Sequence, residues 1–84
     1  LENKVNSKKV ADLRTVISIN DKFLFMNQLF HNNLKEYNDF IMRLNELSDR
    51  EEALAYVAEV SEANKWKENS SAVVNFNKVF DRKF

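Results

Sequence analysis

The stretch Ile17–Asn33, ISINDKFLFMNQLFHNN, decides how the chain folds. Three phenylalanines, two leucines and a methionine fall within the eight residues Phe23–Phe30. Read as a strand, Phe23, Leu24, Phe25 and Met26 would fill both faces, so the alternation that marks a half-buried strand is missing. The apolar run is also too short to cross a bilayer. Read as a helix at 100° per residue, Phe23, Phe25, Met26, Leu29 and Phe30 share one broad arc, and Asn27 and Gln28 fall opposite. Leu24 lies outside that arc and is expected to point away from the core. Asn20 is the expected N-cap, with Asp21 adding favourable charge to the first turn. His31-Asn32-Asn33 reads as the turn that closes the helix.

The rest of the chain repeats this pattern. Upstream, Val10, Leu13, Val16 and Ile17 recur at helical spacing, which predicts a short helix over Lys8–Ile17 with Ser7 as its cap. Downstream, Asn33 and Glu36 form a capping-box-like start to a helix over Leu34–Leu47. Its apolar face is Leu34, Tyr37, Phe40, Ile41, Leu44 and Leu47, and Met42 lies off it. Ser48 and Glu51 have full capping-box spacing and open a helix to about Asn64. That helix carries the stripe Ala53, Leu54, Tyr56, Val57, Val60, with Ala55 and Ala58 outward. A link around Trp66 leads to a last helix, capped by Asn69 or Ser70 and reaching Phe84. Its stripe is Ala72, Val73, Phe76, Val79, Phe80 and Phe84, and Val74 lies off it.

The expected fold is therefore all-α, a compact bundle of four to five short antiparallel helices. Residues 7–84 would form a single helical domain, and residues 1–6 a loose lead-in. The chain has 84 residues, no glycine and no proline. Glycine is the usual residue of tight hairpin turns and of phosphate-cradling loops, so its absence favours helices over sheets and nucleotide loops. Asparagine takes over its capping and left-handed roles.

Composition narrows the function classes. Thirteen basic and thirteen acidic residues give zero formal net charge, which argues against a strong electrostatic grip on nucleic acid or anionic lipid. Near-neutral charge mildly favours self-association. There is no cysteine, so thiolate chemistry and disulfides are excluded, and a cytoplasmic location fits. No direct membrane insertion by this segment is expected.

No catalytic, cofactor-binding or metal-binding constellation is visible, and no cofactor is expected. His31 is the single histidine and lacks cysteines or a second histidine for a metal. Asp21 reads as helix-end stabilisation and Lys22 as a side chain lying along the aromatics. The acidic cluster Asp49, Glu51 and Glu52 beside Arg50 reads as an ordinary helix start. Two binding surfaces remain. Leu24, Met42, Trp66 and Val74 leave the apolar stripes and would form a protein-interaction patch if they converge. Asn75, Lys78, Arg82 and Lys83 on the last helix would contact nucleic acid, the alternative reading. A protein partner, an upstream domain or another copy of the chain is the expected partner.

The run Ile19-Asn20-Asp21-Lys22-Phe23-Leu24-Phe25, followed by Leu29-Phe30, resembles a segment of uncharacterised proteins of the Bacteroidetes. The resemblance continues through Tyr37 and Leu44-Asn45, Glu52-Ala53 with Tyr56, Trp66, and the closing Arg82-Lys83-Phe84. It covers about Asp12 to Phe84. It implies a defined domain at the carboxyl end of a longer protein, with an unrelated upstream part. A glycine is usual in that group after the Leu-Phe pair, where this chain has Asn32 or Asn33. The group has no established activity, so no site residue carries over.

Overall fold

Hydroxyl, carboxylate and amide side chains punctuate this chain, and each helix begins on one. The structure, a computed structural model, describes residues 12–84. Helix α1 spans Ile19–Phe30, α2 Leu34–Glu46, α3 Arg50–Asn64 and α4 Ser71–Lys83, preceded by a 3-10 turn at Leu13–Thr15. Among the described residues there is no strand. The fold is the expected all-α bundle.

The caps correct two expectations. Ser18, not Asn20, starts α1: its Oγ accepts from the Asp21 amide at 3.0 Å. Asn20 lies inside the first turn instead, because the serine hydroxyl already supplies the acceptor two residues earlier. Asp49, not Ser48, starts α3, its Oδ1 accepting from the Glu51 amide at 3.1 Å. Asn33 caps α2 as expected, and of the two candidates for α4 it is Ser70 that caps it. Asn33 keeps only half of the capping box, since its own amide donates to the Phe30 carbonyl.

In its described part, residues 12–17, the expected first helix is replaced by a 3-10 turn. Lys8–Ala11 lies outside the described residues, as do the expected cap Ser7 and the lead-in 1–6. Beyond them, the chain makes one turn and then extends. Asp12 Oδ1 accepts from the Arg14 amide at 2.9 Å, and Thr15 Oγ1 donates to the Asp12 carbonyl at 2.8 Å. These local bonds compete with helix propagation, and the β-branched run Thr15-Val16-Ile17 disfavours it further.

Two glycine-free helix ends use left-handed residues. His31 and Asn32 have φ of 55° and 66° after α1, and Lys65 has φ of 55° after α3. At Lys65 the geometry is a complete Schellman motif. The Lys65 amide donates to the Glu62 carbonyl and the Trp66 amide to the Ser61 carbonyl.

The core is built mostly from α1, α2 and α4. Phe25, Leu29 and Phe30 of α1 meet Tyr37, Phe40, Ile41 and Leu44 of α2. Helix α4 adds Ala72, Val73, Phe76, Val79 and Phe80, and α3 adds Ala53 alone. The Leu13–Thr15 turn packs on α4 and α2, with Leu13 fully enclosed. Phe40 and Phe76 lie at the centre, their ring centroids 5.5 Å apart. Phe30, Tyr56 and Trp66 surround Phe40, and Phe25, Trp66 and Phe80 surround Phe76. Such tilted and edge-on pairs add to what area burial alone contributes.

Candidate functional site

Of the four residues expected to form an interaction patch, two pack against the core instead. Leu24 packs against it, half-buried. The outward residue of α1 is Phe23 instead, 55% exposed. Phe23 sits at the edge of the apolar arc, and α2, α3 and α4 all pack on α1, so the buried arc extends past Leu24 on the other side.

Trp66 likewise faces inward. Its indole Nε1 donates to the Leu29 carbonyl at 2.9 Å. That carbonyl lies in the last turn of α1, where acceptors have no intrahelical partner. The ring also stands edge-on to Phe30 and Phe40, at 5.9 and 5.8 Å between centroids. Trp66 therefore closes the end of one helix and packs its ring against the aromatic core.

Met42 and Val74 are exposed, as expected. They lie on α2 and α4, and only Met42 lines one of the two grooves described below. Leu34 and Leu54, expected on the buried stripes, are exposed too. Leu34 is the first residue of α2, and side chains lean toward a helix's N-terminus, so it overhangs the core's edge. Leu54 lies 100° from Ala53 and falls outside the narrow strip that α3 buries.

The two most exposed large hydrophobic side chains among the described residues are on α1. Ile19 and Phe23, four residues apart, share one face, with Ile19 68% exposed. Neither is needed to complete the core. The pattern does not reveal this pair, because an Asn20 cap leaves Ile19 before the helix and the apolar arc counts Phe23 among the buried residues.

A cleft of about 400 Å³ opens where the chain around Arg14–Ile17 meets α1 and α2. Arg14, Lys22, Tyr37 and Asn38 supply polar groups, and Ile17, Ile41 and Met42 supply apolar surface. Arg14 is tied back to Asp12, with Nη2 to Oδ2 at 2.8 Å. That side-chain bond, then the Arg14 amide, holds the Asp12 carboxyl well below the usual carboxylate range. Asn45 joins this arrangement. Its Nδ2 donates to Asp12 Oδ1, and its Oδ1 accepts from the Leu13 amide, both at 2.8 Å. Asn45 thus pins the first turn to the end of α2, a role no spacing rule reveals because its partners are 32 and 33 residues away.

Tyr37 is 4% exposed. Burial, and then the negative charge of Asp21, push its phenol up to about 12. It is a neutral hydroxyl at ordinary pH, and among the described residues that hydroxyl has no hydrogen-bond partner.

A second, shallower groove runs along α4. Asn75, Lys78 and Arg82 line it together with Val16, Val79 and Asp21. Three of the four residues expected to touch nucleic acid therefore share one surface. The fourth, Lys83, lies over the Phe84 ring at 5.5 Å. Asp21 places a carboxylate in the same groove.

Residues 14–84 match a protein-family model described as Domain of unknown function (DUF8457). The chain belongs to this family. The match spans the whole described bundle from Arg14 onward, so the DUF8457 domain is the unit that carries both grooves. No curated protein and no solved structure matches the chain. Among the described residues of the domain, no three His, Cys, Asp or Glu side chains are placed to hold a metal ion. Among them, too, no helix is long and apolar enough to cross a membrane.

Proposed function

We propose that this DUF8457 domain is a non-enzymatic accessory module that acts by non-covalent docking to a protein. In this reading it forms the carboxyl-terminal part of a larger bacterial protein in the cytoplasm. Its partner is an upstream domain, a second copy or another chain. The observation that supports docking most directly is the exposed pair Ile19 and Phe23 on α1, beside a core that is complete without them. An aromatic and a branched aliphatic side chain at i,i+4 spacing suit the desolvated centre of an interface. The zero net charge is compatible with self-association. The terminal position and bacterial origin rest on the resemblance of Ile19–Phe25 and the later blocks described above.

The test is light scattering across concentration, alone and with the upstream portion of the parent protein, for the wild type and for Ile19→Asp/Phe23→Asp. The wild type is expected to associate, and the double variant to stay folded by circular dichroism and lose association. A strictly monomeric wild type that also ignores the upstream portion removes the second copy and the upstream domain as partners and badly weakens the reading.

A second reading, weak DNA or RNA binding along α4, is supported by the shared groove of Asn75, Lys78 and Arg82. Asp21 in that groove opposes phosphate. Binding to a mixed-sequence duplex or single strand should then weaken steeply with salt and fall on Lys78→Ala and Arg82→Ala. No salt dependence would remove this reading.

A further inference from the structure

We infer that the cleft between α1, α2 and the Arg14–Ile17 segment binds a small amphipathic carboxylate, one carboxylate on a short unbranched apolar chain. The volume, about 400 Å³, lies at the small end of the range for small-molecule sites. Its lining offers both polar and apolar side chains to such a ligand.

Three donors are available. Lys22 has no ion-pair partner among the described residues. The Tyr37 hydroxyl is enclosed and unpartnered, so a ligand oxygen there would satisfy a donor that the fold leaves open. Asn38 is exposed beside it on α2. No aspartate or glutamate lines the cleft, so an anion meets no direct repulsion there.

The charge suits a single carboxylate better than a phosphate. Arg14 gives its Nε and Nη2 to Asp12, which offsets most of its charge. Asp21 lies close enough to Tyr37 to affect its ionisation. Lys22 is then the one uncompensated cation lining the cleft, a match for one negative charge. Apolar contact comes from Ile17, Ile41 and Met42, and the flexible thioether of Met42 adapts to a linear chain. This assignment is independent of docking through Ile19 and Phe23, and either can fail alone.

The test is an NMR titration of the intact chain with octanoate, octanol and octyl phosphate. Octanoate is expected to saturate, shifting Lys22, Asn38 and the Met42 methyl, with octanol ~10-fold weaker. Lys22→Met should erase that preference, and Tyr37→Phe should weaken octanoate in a protein that remains folded. Lys78→Met, on the α4 groove, should change nothing. Equal binding of octanoate and octanol, undiminished binding in Lys22→Met, tighter binding of octyl phosphate, shifts centred on Ile19 and Phe23, or no saturation would each overturn the assignment.

Discussion

Helices α3 and α4 are near-equals in length, yet they join the fold in different ways. Helix α4 buries five side chains, including Phe76 and Phe80. Helix α3 buries only Ala53, with Tyr56, Val57 and Val60 half-covered. The contrast comes from side-chain size at the buried positions. Ala53 fills its site with a methyl group, whereas Phe76 reaches the middle of the core and touches Phe25, Phe40 and Trp66. Where α3 meets α4, the Arg50 guanidinium sits 5.5 Å over Phe80 and pairs with Asp81 at 3.4 Å. Both charged side chains are well exposed, so this pair adds little. Helix α4 is thus part of the core's frame, and α3 is a cover laid over it.

Truncating side chains on each helix should show that difference. Phe76→Ala should cost about 3–5 kcal/mol, enough to unfold a marginal domain of this size. Val57→Ala on α3 should cost about 1 kcal/mol, and Leu54→Ala roughly 0.5 kcal/mol or less. Urea denaturation monitored by circular dichroism reads all three. Comparable losses at Phe76 and Val57 would refute the division into frame and cover.

The link between the two helices gives the next effect. Trp66→Phe keeps an aromatic ring but removes the donor to the Leu29 carbonyl, with an expected loss of about 1–3 kcal/mol. Trp66 would then be shown to serve α1 as well as the link. A neutral substitution would mean that ring packing alone matters.

At the end of α3 the sign reverses. Lys65 holds a left-handed backbone at φ 55° without being glycine. Lys65→Gly should stabilise by about 0.5–1 kcal/mol, the relief of that conformation less the added freedom of the unfolded chain. An unchanged or lowered midpoint would show that the lysine side chain contributes something its backbone strain conceals.

Two tyrosines provide the finest comparison. Tyr37 of α2 is pushed from 10.0 to about 12 by burial and by Asp21, while half-buried Tyr56 of α3 is raised by burial as well. A phenol whose folded value lies above its unfolded value gives a stability contribution that is complete below the unfolded value. That contribution is lost as pH rises through the folded one. Stability should therefore fall between about pH 10 and pH 12, and Tyr37→Phe should flatten most of that fall. Tyr56→Phe should flatten it less. Alkaline denaturation of both variants checks the order.

The sequence made some of this legible and concealed the rest for identifiable reasons. Period-3.6 patterning locates α2 and α4 and leaves Met42 and Val74 off their apolar faces, while capping chemistry gives Asn33 and, as one of two candidates, Ser70. Periodicity ranks residues around a helix but does not say which edge of the arc a neighbour covers. Leu24 and Phe23 exchanged roles for that reason. Adjacent capping residues compete locally, so Ser18 and Asp49 were passed over for Asn20 and Ser48. Trp66 and Asn45 act on residues more than thirty positions away, and local pattern has no access to such contacts. The cleft was invisible for the same reason, since its walls come from three separated segments.

Trp66 has one more consequence. It is the chain's single tryptophan, and it is held edge-on among the central rings while the Ile19–Phe23 face points to solvent. Its fluorescence is therefore a built-in gauge of the folded interior. Loss of the core would shift its emission to the red, whereas a partner settling on the outer face of α1 would leave it nearly unchanged. The domain carries a label that separates unfolding from binding without any added dye.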